Sequence, residues 1–105
     1  MPEKQNIAAV AATLPRPFVH AILGQVDDYC AYLTRFLGTY KFHTHDRDEM
    51  YVVLKGEIFI DYDDGRRVQL SPQETLVVKA GEVHRSGAER EALVLMFKAR
   101  DLFAE

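Results

Sequence analysis

Residues 38–56 read GTYKFHTHDRDEMYVVLKG, and this stretch decides the fold. His43 and His45 are two apart, so on an extended strand, where side chains alternate faces, both imidazoles project to one side. On a helix the same spacing would splay them. Asp46, Arg47 and Asp48 make a polar corner, and Glu49 opens the apolar run MYVVL, which stops at Lys55 and Gly56. An antiparallel return of this kind carries the Glu49 carboxylate back to the histidine pair.

Outward from here the chain keeps the same rhythm of short apolar stretches broken by turn residues. Strands are predicted at 18–23, 29–37, 40–45, 50–54, 57–62, 66–70, 75–79, 83–86 and 92–98. Asp63, Asp64 and Gly65 supply a tight hairpin turn with positive φ at the glycine. Pro15, Pro17 and Pro72 punctuate the chain. Helical periodicity is confined to the first dozen residues and the neighbourhood of Asp101. Eight to ten short strands define an all-β class, a sandwich or a closed barrel whose mouth would hold a small ligand. The 105 residues fit one domain, 1–105, with an N-terminal segment at 1–17 and the barrel at 18–100.

Composition narrows the partners. Thirteen Lys and Arg against sixteen Asp and Glu leave a formal charge of -3, with the basic residues scattered, which argues against nucleic acid. Cys30 is the single cysteine, so an intramolecular disulfide is ruled out and a reducing cytoplasm is the expected location; its reading is a small buried hydrophobe. The apolar run IAAVAATL at 7–14 is short and follows Glu3 and Lys4, so it reads as a packed segment, not a signal peptide or a membrane span.

His84, in Lys79-Ala80-Gly81-Glu82-Val83-His84, lies far along the chain, and a closed β fold is needed to bring it to the other ligands. Alone, a His-x-His is often two ordinary strand histidines, Glu49 a solvated charge and His84 a polar strand residue. Their joint spacing makes His43, His45, Glu49 and His84 a candidate site. Three imidazoles and a carboxylate form a borderline set suited to a divalent transition metal: Zn, Fe, Mn, Ni, Co or Cu.

Gly38 through Gly56, with its paired histidines, later glutamate and closing glycine, resembles the first motif of the cupin superfamily, and Lys79-Ala80-Gly81-Glu82-Val83-His84 resembles its second. The two motifs cover about half the chain, and residues 23–60 look closest to small single-domain cupins labelled mannose-6-phosphate isomerase-like, a label of fold and not of activity. The resemblance implies a double-stranded β-helix (jelly-roll) barrel, a homodimer, and metal ligation by His43, His45, Glu49 and His84. Lys79 stands where the second motif usually has proline, Ala88 where asparagine often falls, and Gln73-Glu74 where many members have Gly-Asp. The loop before His84 is therefore expected to be less rigid.

Parity yields further pocket candidates. On a regular strand Lys41 shares the face of His43 and could offer a cation to an anionic substrate, whereas a bulge would reverse this. Tyr51 follows Glu49 on its face, as a hydrogen-bond donor to the ligand, a substrate contact or a core residue. Glu57 would serve as an acid or base only if it pointed inward. His20, among Phe18, Val19 and Ala21, reads as structural. Tyr29, Tyr32, Phe36, Tyr40 and Phe42 exceed what a small barrel buries, which suggests that some of them cover a dimer contact. Two functions fit: a metal-dependent enzyme of dioxygenase, isomerase or lyase type acting on a small polar molecule, or a non-catalytic cupin that binds or senses a small ligand. A cavity lined solely by Val and Phe would favour the second.

Overall fold

One long strand organises the molecule, because β2 runs along much of one edge of it while the other edge meets β3 in one half and β4 in the other. The structure, a computed structural model, describes residues 2–100. Its elements are α1 (Ile7–Ala11), β1 (His20–Val26), β2 (Tyr29–Thr39), β3 (Glu49–Lys55), β4 (Ile58–Tyr62), β5 (Arg67–Leu70), β6 (Thr75–Val78) and β7 (His84–Ala99). The C-terminal half of β7 lies between β2 and β3, with Tyr32 and Tyr51 both opposite Met96. Its N-terminal half pairs with β4, Tyr62 opposite His84 and Phe59 opposite Gly87. The sheet therefore runs β1-β2-β7-β3-β6, with β4 on the other reach of β7 and β5 beyond it. All pairings are antiparallel, and the strands roll into the double-stranded β-helix (jelly-roll) barrel of the cupin type.

Two strands expected from the sequence, 83–86 and 92–98, are thus one. The charged residues Glu89, Arg90 and Glu91 read as a loop, yet they stay extended and exposed on a strand whose two ends are separately paired. Gly87 permits the passage: a Cβ there would sit 2.3 Å from the Phe59 ring. Residues 40–45 are a second correction. After a register shift between Phe36 and Gly38, where Gly38 has φ 81°, regular pairing with β7 resumes and ends at Thr39, and the segment beyond is held by the Tyr40 N–H bond to Ser86 O and an isolated bridge between His43 and His84. The count among the described residues is seven strands. The turn at Asp63-Asp64-Gly65 forms as expected, with Gly65 at φ 94° and Tyr62 N–H donating to Arg66 O at 2.9 Å.

The barrel core is built from Cys30, Tyr32, Phe36, Ile60, Val94 and Met96, among others. Each large apolar side chain buried here stabilises the fold by about 1.5–3 kcal/mol. Tyr32 and Phe36 are therefore core residues and not surface aromatics. Cys30 is buried, as its small apolar character suggested. The apolar N-terminal segment forms the short helix α1, capped by Asn6, whose Oδ1 accepts from Ala9 N–H at 2.9 Å. Leu14 is buried, and its carbonyl accepts from Arg35 Nη1 at 3.0 Å. Among the described residues no helix is long and apolar enough to cross a membrane. Asp101, where a second helical turn was expected, lies outside the described residues.

Candidate metal centre

His43 and His84 come from distant segments and are locked to each other by the backbone. His43 N–H donates to His84 O at 2.9 Å, and His84 N–H returns the bond to His43 O at 3.0 Å. Gly81 N–H donates to His45 O at 2.8 Å, which ties the second histidine to the loop before His84. That loop carries lysine at 79, and its order comes from Asp48: Ala80 N–H and Lys79 Nζ donate to the Asp48 carboxylate at 2.8 and 3.2 Å. The corner after the histidine pair thereby fastens the loop in front of His84, a restraint that does not need proline. Glu49 opens β3, held opposite Val78 of β6.

The ligand atoms of His43, His45, Glu49 and His84 all lie within 4.8 Å of one another, a group able to hold a metal ion. Their hydrogen bonds decide which atoms converge. His43 Nδ1 is 2.8 Å from Lys41 O, and His84 Nδ1 is 2.9 Å from Glu82 O. A carbonyl only accepts, so both Nδ1 atoms carry hydrogen and each Nε2 is left with its lone pair directed at the cluster. Glu49 Oε1 sits 2.8 Å from His84 Nε2, and Glu49 Oε2 sits 3.6 Å from His45 Nε2. His45 Nε2 and Glu49 Oε2 are buried and have no hydrogen-bond partner among the described residues. Buried polar atoms are nearly always satisfied, so converging lone pairs need an electropositive centre, either a proton or a cation.

Electrostatics show the same tension. Burial pulls the His43 and His45 imidazoles below the ordinary histidine value, more than neighbouring carbonyl and carboxylate groups push them up. Burial also works to raise the Glu49 carboxyl, but the His84 hydrogen bond and the charge of Lys98 bring it net below the ordinary range. His84 is depressed by burial, yet the Glu49 hydrogen bond and the Glu82 carbonyl carry it net upward. Without a metal, the proton between His84 and Glu49 holds the pair together. Two neutral imidazoles and an ionised carboxylate are the forms in which these groups ligate.

A narrow cavity of ≈ 20 Å³ opens beside His43, walled by His20, Tyr40, Tyr51, Ser86 and Lys98 together with Phe18, Phe36 and Met96. Tyr51 is buried and its hydroxyl donates to Glu49 Oε1 at 3.0 Å. Lys41 is exposed, its ammonium 6.0 Å from the Tyr40 ring centroid. Tyr40 stands on the cavity wall instead, edge-on to His43 at 5.5 Å, because the segment is not a regular strand and parity does not run through it. Glu57 is exposed and accepts from Ser71 Oγ at 3.2 Å. His20 has polar partners after all: its Nδ1 is 2.6 Å from Thr34 Oγ1 and its Nε2 3.3 Å from Lys98 Nζ. Lys98 was not anticipated, although the alternation Ala92, Val94, Met96, Lys98 carries the signal: a charge on the inward face of a strand.

Residues 38–97 match the Cupin domain family. The chain is 34% identical over 87 residues to the protein YdbB of Bacillus subtilis, covering 82% of this chain and 77% of that one. It is 31% identical over 104 residues to an acireductone dioxygenase of Candida albicans, covering 91% of this chain and 54% of that protein, so it spans about half of the dioxygenase's length. Among solved structures, a cupin-2 domain protein of Shewanella frigidimarina superposes with a TM-score of 0.86 at 23% identity, over 91% of this chain and 94% of that one. Hydroquinone 1,2-dioxygenase of Sphingomonas sp. TTNP3 superposes with a TM-score of 0.75 at 21% identity, over 90% and 71%. These last two similarities concern the fold.

Proposed function

The chain belongs to the cupin family, and from that premise we propose that it is a metalloenzyme holding one divalent transition metal through His43, His45, Glu49 and His84 and acting on a small polar molecule. The observation that carries this reading is the pair of buried atoms without a partner, His45 Nε2 and Glu49 Oε2, set beside imidazole lone pairs already aimed at the same point. A bound ion would supply Lewis acidity or activation of oxygen. The chain's own residues do the rest. The Lys41 and Glu82 carbonyls fix the ring orientations of His43 and His84, and Tyr51 steadies the carboxylate.

A cavity lined only by aliphatic and aromatic groups would favour a non-catalytic binding or sensing module. Here Tyr51, Ser86 and Lys98 reach its wall, which supports an enzyme. Within dioxygenase, isomerase and lyase chemistry, the similarity to acireductone dioxygenase along most of this chain supports the dioxygenase type. A cytoplasmic homodimer with one site per subunit completes the reading. Elemental analysis of protein grown in metal-replete medium tests it: close to one transition metal per chain is expected, falling sharply in His45→Ala. No transition metal at any stoichiometry in the wild type ends the proposal.

A further inference from the structure

The residues directly behind the candidate centre form a second network, on the outer face of the barrel. His43 pairs with His84, and His84 with Tyr62, so on extended backbone the next residues along, Phe42, Arg85 and Asp61, point the other way. Arg67 of β5, opposite Asp61, continues this outer row. Asp61 is buried, and its carboxylate accepts from Arg67 Nε at 2.6 Å and Nη2 at 3.1 Å and from Arg85 Nε at 3.1 Å. These bonds, that of Arg67 foremost, hold its carboxyl below the ordinary range.

Arg85 joins this network to the segment that carries two of the four converging side chains. Its guanidinium lies 4.5 Å from the Phe42 ring centroid, as that of Arg67 lies 4.0 Å from the Phe59 ring. Phe42 is 43% exposed, so the guanidinium, and not the core, is what seats this ring. Beyond Thr39 the backbone is tied by Tyr40 N–H to Ser86 O, by the reciprocal bonds of His43 and His84, and by Gly81 N–H to His45 O. Such separate bonds resist a roll of the segment about its own axis less than a continuous ladder does. Because side chains alternate, a roll that displaces Phe42 outside displaces His43 inside.

We propose that Arg85, oriented by Asp61, is a positioning residue for the candidate metal centre: stacked on Phe42 from outside, it sets the direction in which His43 presents Nε2. The assignment rests on the metal-centre reading for its effect on ion binding, and on the outer row alone for its effect on the His43 ring. Arginine suits the place because a planar guanidinium stacks on the ring and bonds the carboxylate at once, which an ammonium does not. Arg66, whose guanidinium lies 4.7 Å from the Tyr62 ring and bonds Asp64 at 2.7 Å, is the same kind of contact without Phe42, and serves as the control.

The test reads zinc affinity by chelator competition, the visible absorption bands of the cobalt-loaded protein, and urea unfolding of the metal-free protein. Arg85→Lys and Phe42→Leu should weaken zinc binding roughly 10-fold or more and alter the cobalt bands. Phe42→Trp, which returns a ring to the guanidinium, should keep the wild-type affinity, and Arg66→Ala should change neither reading. Arg85→Lys and Phe42→Leu with affinity within about two-fold of wild type and unaltered cobalt bands, whatever they lose in urea, would reduce the stack to a structural contact and overturn the assignment. So would a Phe42→Trp as weak as Phe42→Leu. A wild type that binds neither zinc nor cobalt overturns the metal centre instead, and the stack is then judged in metal-free protein: the His43 ring ¹H–¹³C resonances should shift in Arg85→Lys and stay in Arg66→Ala, and no shift rejects it. Should Arg85→Lys and Phe42→Leu both fail to fold, Asp61→Asn, which loosens Arg85 while keeping it and Phe42, is read by the same measurements with the same losses expected.

Discussion

The phenol of Tyr51 donates to Glu49 Oε1 at 3.0 Å, and that same oxygen lies 2.8 Å from His84 Nε2. Burial and the adjacent Glu49 charge push the Tyr51 phenol well above its ordinary range, which favours the protonated, donating form. Removing it leaves Oε1 to His84 alone and loosens the carboxylate about its own bonds. Tyr51→Phe keeps the ring and its edge-on contact with Phe36 at 6.2 Å. The variant should remain folded, losing about 1.5 kcal/mol in urea unfolding of the metal-free protein. Its metal affinity, read by chelator competition, should fall roughly 10-fold or more. An unchanged affinity would show that the hydroxyl packs without steadying the ligand.

His20 imposes a pH dependence on stability. Burial, followed by the charge of Lys98, lowers its pKa to about 4 from the ordinary 6.5. The folded state holds the ring neutral while the unfolded chain takes up a proton below 6.5, so the unfolded state binds more protons in this interval. The His20 contribution is therefore fully present above 6.5, and is lost progressively as pH falls towards 4. His43 and His45 act in the same direction, whereas His84, raised by its Glu49 bond, opposes them. In metal-free protein, His20→Asn should flatten the curve of unfolding free energy against pH between 6.5 and 4, measured by urea titration at successive pH values. A slope as steep as that of the wild type would contradict the assignment.

Dimerisation should use the outer edge of β1. This strand ends the sheet, and Ile22 and Val26 upon it are each 61% exposed. An uncovered edge with apolar side chains invites a copy of the same chain. Light scattering at micromolar concentration should give the mass of two chains, and the double substitution Ile22→Lys, Val26→Lys should halve it without changing metal content. A wild type that scatters as one chain would remove the dimer from the proposed function.

The convergence of the four side chains was legible because its information is local: His43, His45 and Glu49 fall within seven consecutive residues, and His84 follows a glycine loop. What escaped depends on partners far along the chain. Residues 40–45 looked like a strand since Tyr40, Phe42 and Thr44 favour extended backbone, but beyond Thr39 only isolated contacts with β7 remain, at Tyr40 and His43. β7 looked like two strands because a charged stretch resembles a loop when its exposure on both reaches of the sheet is unknown. Of the aromatic surplus in the N-terminal half, which suggested a surface contact, Tyr32 and Phe36 fill the core while Phe42 is exposed. Lys98 was hidden by its chemistry: lysine is so seldom buried that its place in an inward series is easily passed over.

The reciprocal backbone bonds between His43 and His84 turn two remote side chains into a preformed pair. Folding has already spent the entropy of bringing them together, so an ion bound as proposed would find its donors waiting instead of gathering them. A cage of fixed span also discriminates by ionic radius, since a ladder of main-chain bonds yields far less than a flexible side chain when the guest is the wrong size.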